Sequence, residues 1–440
     1  MLRFKDNFLK KKILIYGLGK SGLSVYKFLK KKSETYLYDD KKNLIKNSEL
    51  KKKIIDYKKI NKQNFDYIII SPGIDIKKCK LSKYLKKNNS KINTDLDIFY
   101  SIYNKNKNIT ITGTNGKSTV AKILNDILKD QKIDTRLVGN IGNPILSEKK
   151  IKRKTIFIIE ASSYQIEYSK KFKANYATIL NLSPDHLERH GTFSNYIKSK
   201  FRLIKNQTNK DYSFLNKKNK YLEKEIQRNK INSKIINVNN EPKKKYLSKI
   251  KNKYFLTYGG KQNLSHVLAI SDKMRLNKKK LIKTINKFKG LNYRQELVFN
   301  SKKISIINDS KSTSFSSSEN ILSSLKKVYW IVGGIPKKGD KFSINKSKCL
   351  NFKAYIFGNN KKYFLNKLKG KMKCYLFSNL KKSLIKAISD LNLESTDDHK
   401  TILFSPSAAS FDTFKNFEDR GKKFNELLMQ KNIKKKIYGK

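Results

Sequence analysis

Lys117 is the residue from which the chemistry of this chain can be read. It lies in the stretch ITITGTNGKST, residues 109–119, where a strand-like alternation runs into Gly113, Thr114, Asn115, Gly116, Lys117, Ser118 and Thr119. Strand, glycine turn, lysine, paired hydroxyls and a helix-compatible run over 120–128 are the parts of a phosphate-binding loop. Gly113 and Gly116 permit backbone conformations in which several N–H groups face one phosphate chain. The helix that starts here adds the positive end of its dipole. Lys117 can offset the charge of the β- and γ-phosphates, and the hydroxyl of Ser118 or Thr119 can ligate Mg²⁺. The spacing is shorter than in the common loop, whose first glycine falls where Ile111 stands.

Further groups follow at the ends of apolar runs. Residues 155–159 (TIFII) end in Glu160, and a carboxylate ending a buried strand beside a phosphate loop is placed for Mg²⁺. Residues 177–182 lead to Pro184, Asp185 and His186. The chain has four histidines, and His186 follows a strand directly. Asn140 sits in the turn GNIGNP, residues 139–144. Near the start, residues 12–16 (KILIY) enter Gly17, Leu18, Gly19, Lys20, Ser21 and Gly22, a full G-x-G-x-x-G. A helix over 23–29 and a strand over 35–38 ending in Asp39 complete the dinucleotide fingerprint, with an acid where a ribose hydroxyl would sit. Such a cradle fits other nucleotides besides NAD, so an NAD-dependent dehydrogenase is one alternative on these residues alone. The strand over 67–70 ends in Ser71, Pro72 and Gly73.

The elements that position these groups are alternating strands and helices, which specify an α/β protein built from open parallel sheets. We expect three domains. Residues 1–93 form an N-terminal Rossmann-like domain, 94–288 a central P-loop ATPase-type domain, and 289–440 a C-terminal Rossmann-like domain. The last has strands over 304–307, 328–332, 353–357, 374–377 and 401–404, each ending in a small or polar loop, and a tail helix over 416–428. A helix over 192–204 holds Lys200, and a glycine turn at 259–260 opens another helix. Residues 205–253 are rich in Lys and Asn and yield little.

Composition excludes several classes. Net charge is +65, from 100 Lys plus Arg against 35 Asp plus Glu over 440 residues. The lysines are spread through every segment, whereas a nucleic-acid binder predicts a basic face with interleaved aromatics. They read as solvated surface, and no nucleic-acid partner is expected. Cys79, Cys349 and Cys374 have no metal-type spacing and fit a reducing compartment. No apolar run approaches a membrane span, and MLRFKDNFLKKK lacks the apolar segment of a signal peptide, so a cytoplasmic protein without membrane insertion is expected.

These stations, in this order, resemble the Mur ligases of peptidoglycan synthesis, and among them most closely those that add D-glutamate. The stretches that carry the resemblance are TGTNGKST, GLGKSGLS (17–24), SPGI (71–74), EASSYQIE (160–167), NDSKST (308–313) and SPSAASFDTFKNFEDRG (405–421). The resemblance implies an ATP- and Mg²⁺-dependent ligase, expected to be monomeric, that adds D-glutamate to UDP-N-acetylmuramoyl-L-alanine through an acyl phosphate. Another Mur ligase of the pathway is the nearest alternative. By resemblance, Gly19, Ser21, Asp39, Asp40 and Ser71 would hold the UDP part, with Asn140 nearer its sugar and peptide end. Gly113 to Thr119 would hold the ATP phosphates, and Arg294 and Asp309 would contact ATP from the third domain. Ser118, Glu160 and His186 would serve Mg²⁺, together with Lys200 carried as a carbamate. Lys311, Thr313, Lys337, Ser410 and Phe417 would receive D-glutamate. The third domain would close on ligand binding about a hinge at 289–291. The sequence departs from the family's G-x-H-N-x-x-N, with Gln262 in place of its His and His266 in place of its second Asn. Ser314 stands where an Asn is usual, and Leu291, Asn292 and Tyr293 precede Arg294 in place of Pro-His.

Overall fold

A computed structural model describes residues 8–41, 48–255, 257–337, 339–395 and 398–438. The first seven residues of the N-terminal stretch read above lie outside the described residues. Three sheets organise the described residues. The first contains β1 (Lys12–Tyr16), β2 (Glu34–Tyr38), β3 (Tyr67–Ile70) and β4 (Ile92–Asn93), in the order β2-β1-β3-β4 and all parallel. Ile13, Leu14, Ile15 and Tyr16 are fully buried, as expected for a central strand covered on both faces. The register pairs Tyr16 with Tyr38 and with Ile70. Gly17, Asp39 and Ser71 therefore leave the sheet at one edge.

The second sheet is also all parallel. It contains β5 (Asn108–Thr112), β6 (Thr135–Gly139), β7 (Ile156–Glu160), β8 (Tyr176–Ile179), β9 (Tyr212–Leu215) and β10 (Lys234–Asn237), in the order β10-β9-β8-β5-β7-β6. The chain winds to opposite sides of β5, so its carboxyl end is a topological switch point, where open α/β sheets bind ligands. The helix Lys117–Asp130 starts there and buries Val120, Ile123, Leu124, Ile127 and Leu128. Their helical spacing turns one apolar face to the sheet.

The third sheet runs β11-β12-β16-β13-β14-β15, from β11 (Glu296–Asn300), β12 (Ile304–Asn308), β13 (Lys327–Gly333), β14 (Phe352–Phe357), β15 (Lys373–Phe377) and β16 (Lys400–Phe404). All its neighbours are parallel except β11, which pairs antiparallel with β12 and has a bulge between Leu297 and Phe299. One face packs Tyr329, Ile331 and Tyr355 against Leu384, Ile388 and Phe424, while Val328, Trp330 and Val332 enter a separate core with Phe315 and Phe364.

The chain packs as two compact units. One comprises the described residues up to Leu182 with Arg189–Lys243 and Asn263–Ile285, and holds the first two sheets. The other comprises Ser183–Glu188, Lys244–Gln262 and the described residues from Asn286 onward, and holds the third. All three cysteines are free thiols. Among the described residues no helix is long and apolar enough to cross a membrane.

Candidate functional site

The phosphate loop forms where β5 stops. Gly113 has φ +148° and Gly116 φ +83°, conformations that side chains resist. Asn181, just beyond β8, staples the loop from outside: its backbone oxygen accepts from Thr114 N (3.0 Å) and its Oδ1 from Asn115 N (2.8 Å). Lys117 Nζ donates to Gly113 O (2.9 Å) and Thr114 O (2.8 Å), so the amine lies on the loop itself. Lys200, 1% exposed, reaches the same Gly113 O from the helix Phe193–Lys205 at 2.9 Å and sits over the Tyr196 ring. Tyr196 in turn shares a hydrogen bond with Thr114 Oγ1 (3.1 Å).

Glu160 ends β7 opposite Ile111 and Gly139 in register. Its buried carboxylate accepts from Ser118 Oγ (2.6 Å) and Asn140 Nδ2 (2.8 Å), and its backbone oxygen from Asn140 N (2.9 Å). The structure thus brings Ser118, Asn140 and Glu160 into one hydrogen-bonded group beside Lys117. All are oxygen donors or hold one. Mg²⁺ takes one or two carboxylates plus substrate phosphates and waters, so this donor set fits the ion. Among the described residues no group of three or more His, Cys, Asp or Glu forms a denser cluster.

Gly116 shows how closely the loop is enclosed. A Cβ there would fall 2.0 Å from Asn263 Oδ1. Gly116→Ala is expected to destabilise the fold by about 1–2 kcal/mol from the left-handed backbone alone and to displace Asn263. Urea unfolding measures the first effect and nucleotide affinity the second, and an alanine variant unchanged in both would contradict this account. His266, three residues on, is 1% exposed and bonded to Thr178 at 2.7 Å. Burial pushes its pKa down to about 3. It is a neutral core histidine tied to β8.

In the other unit, His186 has φ +56° and lies 3.4 Å from both Asp185 Oδ2 and Glu188 Oε1. Burial lowers its pKa, against the pull of Asp185. Lys337 Nζ pairs with Asp185 Oδ1 at 2.5 Å. Asp309, after β12, accepts from Gln295 N (3.1 Å) and Ser405 Oγ (3.0 Å). Lys311 Nζ stands 4.1 Å above the Phe417 ring, and the Arg294 guanidinium lies 5.6 Å from it. Thr313 and Ser410 lie on the two segments that follow β12 and β16.

At the first sheet, Ser71 Oγ donates to Gly17 O (2.6 Å). A Cβ on Gly22 would meet Gly17 O at 1.8 Å, so that glycine allows the helix Lys20–Leu29 to seat on the loop. Gly19 is the N-cap of this helix, and Ser21 lies in its first turn. Asp39 uses both carboxylate oxygens on backbone, Leu18 N (2.7 Å) and Lys41 N (2.9 Å). Asp40 accepts from Tyr16 OH at 2.8 Å.

Burial raises the pKa of Asp309 to about 7, and those of Asp95 and Asp340 to about 6. Between about pH 4 and pH 7 the folded protein therefore binds more protons at Asp309 than the unfolded chain, and stability from this group falls as pH rises through that window. Asp309→Asn is expected to flatten the slope of melting temperature against pH there. Parallel curves for variant and parent would contradict it.

Asn181, Asn263, Tyr196 and Arg420 were not among the candidate residues, and each holds a candidate segment in place. Asn263, the first Asn of the G-x-H-N-x-x-N pattern, and Arg420, within 405–421, lay inside motifs discussed above.

The profile of the Mur ligase middle domain matches residues 111–283, and that of the Mur ligase MurD-like N-terminal domain matches 11–92. A protein of Rickettsia bellii named UDP-N-acetylmuramoylalanine--D-glutamate ligase is 32% identical over 448 aligned residues, covering 96% of this chain and 98% of the relative. One of the same name from Francisella tularensis subsp. tularensis (strain SCHU S4 / Schu 4) is 33% identical over 443, covering 97% and 98%. Among solved structures, the UDP-N-acetylmuramate-alanine ligase MurC of Thermotoga maritima aligns with TM-score 0.54 at 15% identity, over 94% of this chain and 98% of that one. The MurF ligase of Thermotoga maritima in complex with ADP gives 0.54 at 14%, over 97% of each. At such identities the solved structures establish the fold alone.

Proposed function

The chain belongs to the Mur ligase family, and from that premise we propose that it uses ATP to join D-glutamate to UDP-N-acetylmuramoyl-L-alanine in peptidoglycan synthesis. The observation that carries this reading is the end-to-end likeness to relatives bearing that activity's name. The alanyl carboxylate attacks the γ-phosphoryl group of ATP to give an acyl phosphate and ADP. The amine of D-glutamate then attacks the activated carbonyl, and phosphate leaves from the tetrahedral intermediate.

The chain's own groups divide this work. Gly113 to Thr119 hold the ATP phosphates, and Lys117 offsets the charge that builds on the transferring oxygens. Ser118 and Glu160 would hold Mg²⁺, with His186 and a carbamylated Lys200, and the ion would neutralise phosphoryl charge. Arg294 and Asp309 are assigned to ATP. Gly19, Ser21, Asp39, Asp40, Ser71 and Asn140 are assigned to the UDP substrate. Lys311, Thr313, Lys337, Ser410 and Phe417 are assigned to D-glutamate, whose carboxylates suit lysine and hydroxyl partners. The segments 1–93, 94–288 and 289–440 are the proposed domains of the three substrates' sites. The reading includes a cytoplasmic monomer with no nucleic-acid or membrane partner.

Phosphate release with ATP, Mg²⁺ and UDP-N-acetylmuramoyl-L-alanine tests it, with D-glutamate, L-glutamate, meso-diaminopimelate and L-alanine added singly. Release only with D-glutamate is expected. Release with another amino acid assigns a sister activity, and release with none overturns the reading.

A further inference from the structure

We propose that Arg420 is a positioning residue that holds the amino-acid-binding segments in register with one another, an inference resting on the D-glutamate assignment above. Arg420 lies in the helix Phe417–Leu428 and is 1% exposed. Its Nε donates to Ser310 Oγ (3.1 Å), and its Nη2 to Ser310 O (2.7 Å) and Ala408 O (2.9 Å). Ser310 Oγ donates in turn to Phe417 O (2.9 Å). One guanidinium thus ties the segment bearing Lys311 and Thr313 to the segment bearing Ser410, from the helix that begins with Phe417.

The linkage extends to the fourth segment. Ala409 and Ile335 exchange backbone hydrogen bonds, each 2.9 Å, and Ile335 leads to Lys337. Gly334 makes this approach possible: at φ +129°, a Cβ there would lie 2.6 Å from Ala409 O and 3.2 Å from Arg420 Nη1. On the other side, a Cβ on Gly421 would fall 2.4 Å from Tyr293 Cγ, and Tyr293 O accepts from Lys311 N (2.9 Å).

Burial of a charge needs compensation. Desolvation draws the Arg420 pKa down to about 10, and Asp412 and Asp309 oppose it. Nη1 and the buried Asp412 Oδ2 have no hydrogen-bond partner among the described residues. A neutral side chain would avoid this cost. What it could not do is bond three acceptors on two segments in one plane, which the rigid guanidinium fork does and the point charge of lysine does not.

Arg420→Lys keeps the charge and loses the fork. In the full-length protein it is expected to raise the KM for D-glutamate about tenfold or more, with a smaller fall in kcat and unchanged ADP affinity. Without any substrate, amide hydrogen exchange should quicken in 308–313 and 405–410 together. If Arg420→Lys does not fold, Ser310→Ala removes one of the three acceptors, together with the hydrogen bond to Phe417 O, and carries the same prediction with a smaller rise. A folded variant with unchanged KM for D-glutamate overturns the proposal, as does a parallel loss of ADP affinity and melting temperature. Should the parent protein turn over no D-glutamate, the functional reading fails, and the exchange measurement alone decides the positioning role.

Discussion

Lys117→Ala is expected to lower kcat by about 10³-fold, the scale set by removing a cation or donor that acts on a transferring phosphoryl group. The loop's other groups, its backbone N–H donors and the Ser118 hydroxyl, survive the substitution. Lys117 supplies the loop's only charged side chain. Its amine rests on Gly113 O and Thr114 O, so the ammonium already lies against the loop that would cradle the phosphates. The fold should be nearly unaffected, since Lys117 is part-exposed at a helix start whose buried apolar residues begin at Val120. Lys117→Arg should not restore the rate, because a planar fork does not replace a compact point charge at this position. Steady-state kinetics with a parallel melting curve measure both claims. An alanine variant within about tenfold of the parent would contradict the role, given the magnitudes such groups carry.

Glu160→Gln is expected to shift the Mg²⁺ activation curve by about tenfold or more and to lower kcat by about 10²-fold at fixed Mg²⁺. The side chains have the same shape, so packing is retained. The difference is chemical. The carboxylate accepts from Ser118 Oγ and Asn140 Nδ2, and a neutral amide can match only one of two donors with its oxygen. It also removes the negative charge that suits a divalent cation. A Mg²⁺ curve superimposable on the parent's would contradict the assignment, whatever happened to kcat.

Much of this site was legible because its chemistry is local. The phosphate loop compresses strand, glycines, lysine and helix into adjacent positions, and each part has a physical reason to follow the last. Glu160 was legible as the polar end of an apolar run, although β7 includes it and starts at Ile156. The run over 177–182 likewise resolved into a shorter strand, Tyr176–Ile179, whose continuation bonds the loop through Asn181. Asn181 could not be found by pattern, because its function is a contact across the sheet. The same holds for Asn263 against Gly116 and for Arg420 against Ser310 and Ala408.

The elements that escaped the reading are mostly edge strands. β10 and β11 bury none of their residues fully, and their apolar runs, 235–236 and 297–299, are only two and three residues long. Residues 205–253 yielded little from composition, yet they contain β9, β10 and the helix Lys220–Arg228. That helix buries Leu222 and Glu225 and presents lysines elsewhere, so its polar surface hid its periodicity. Asp39 illustrates a different limit. The fingerprint predicts an acid at that position, and only the structure shows both oxygens engaged by backbone, one by Leu18 N of the glycine loop and the other by Lys41 N.

The most direct test of the central claim uses UDP-N-acetylmuramoyl-L-alanine labelled with oxygen-18 in its alanyl carboxylate, incubated with ATP, Mg²⁺ and D-glutamate. The account predicts that label appears in the released inorganic phosphate, together with a product heavier than the substrate by one glutamyl residue. Product whose formation leaves the phosphate unlabelled, or no D-glutamate adduct at all, would contradict it.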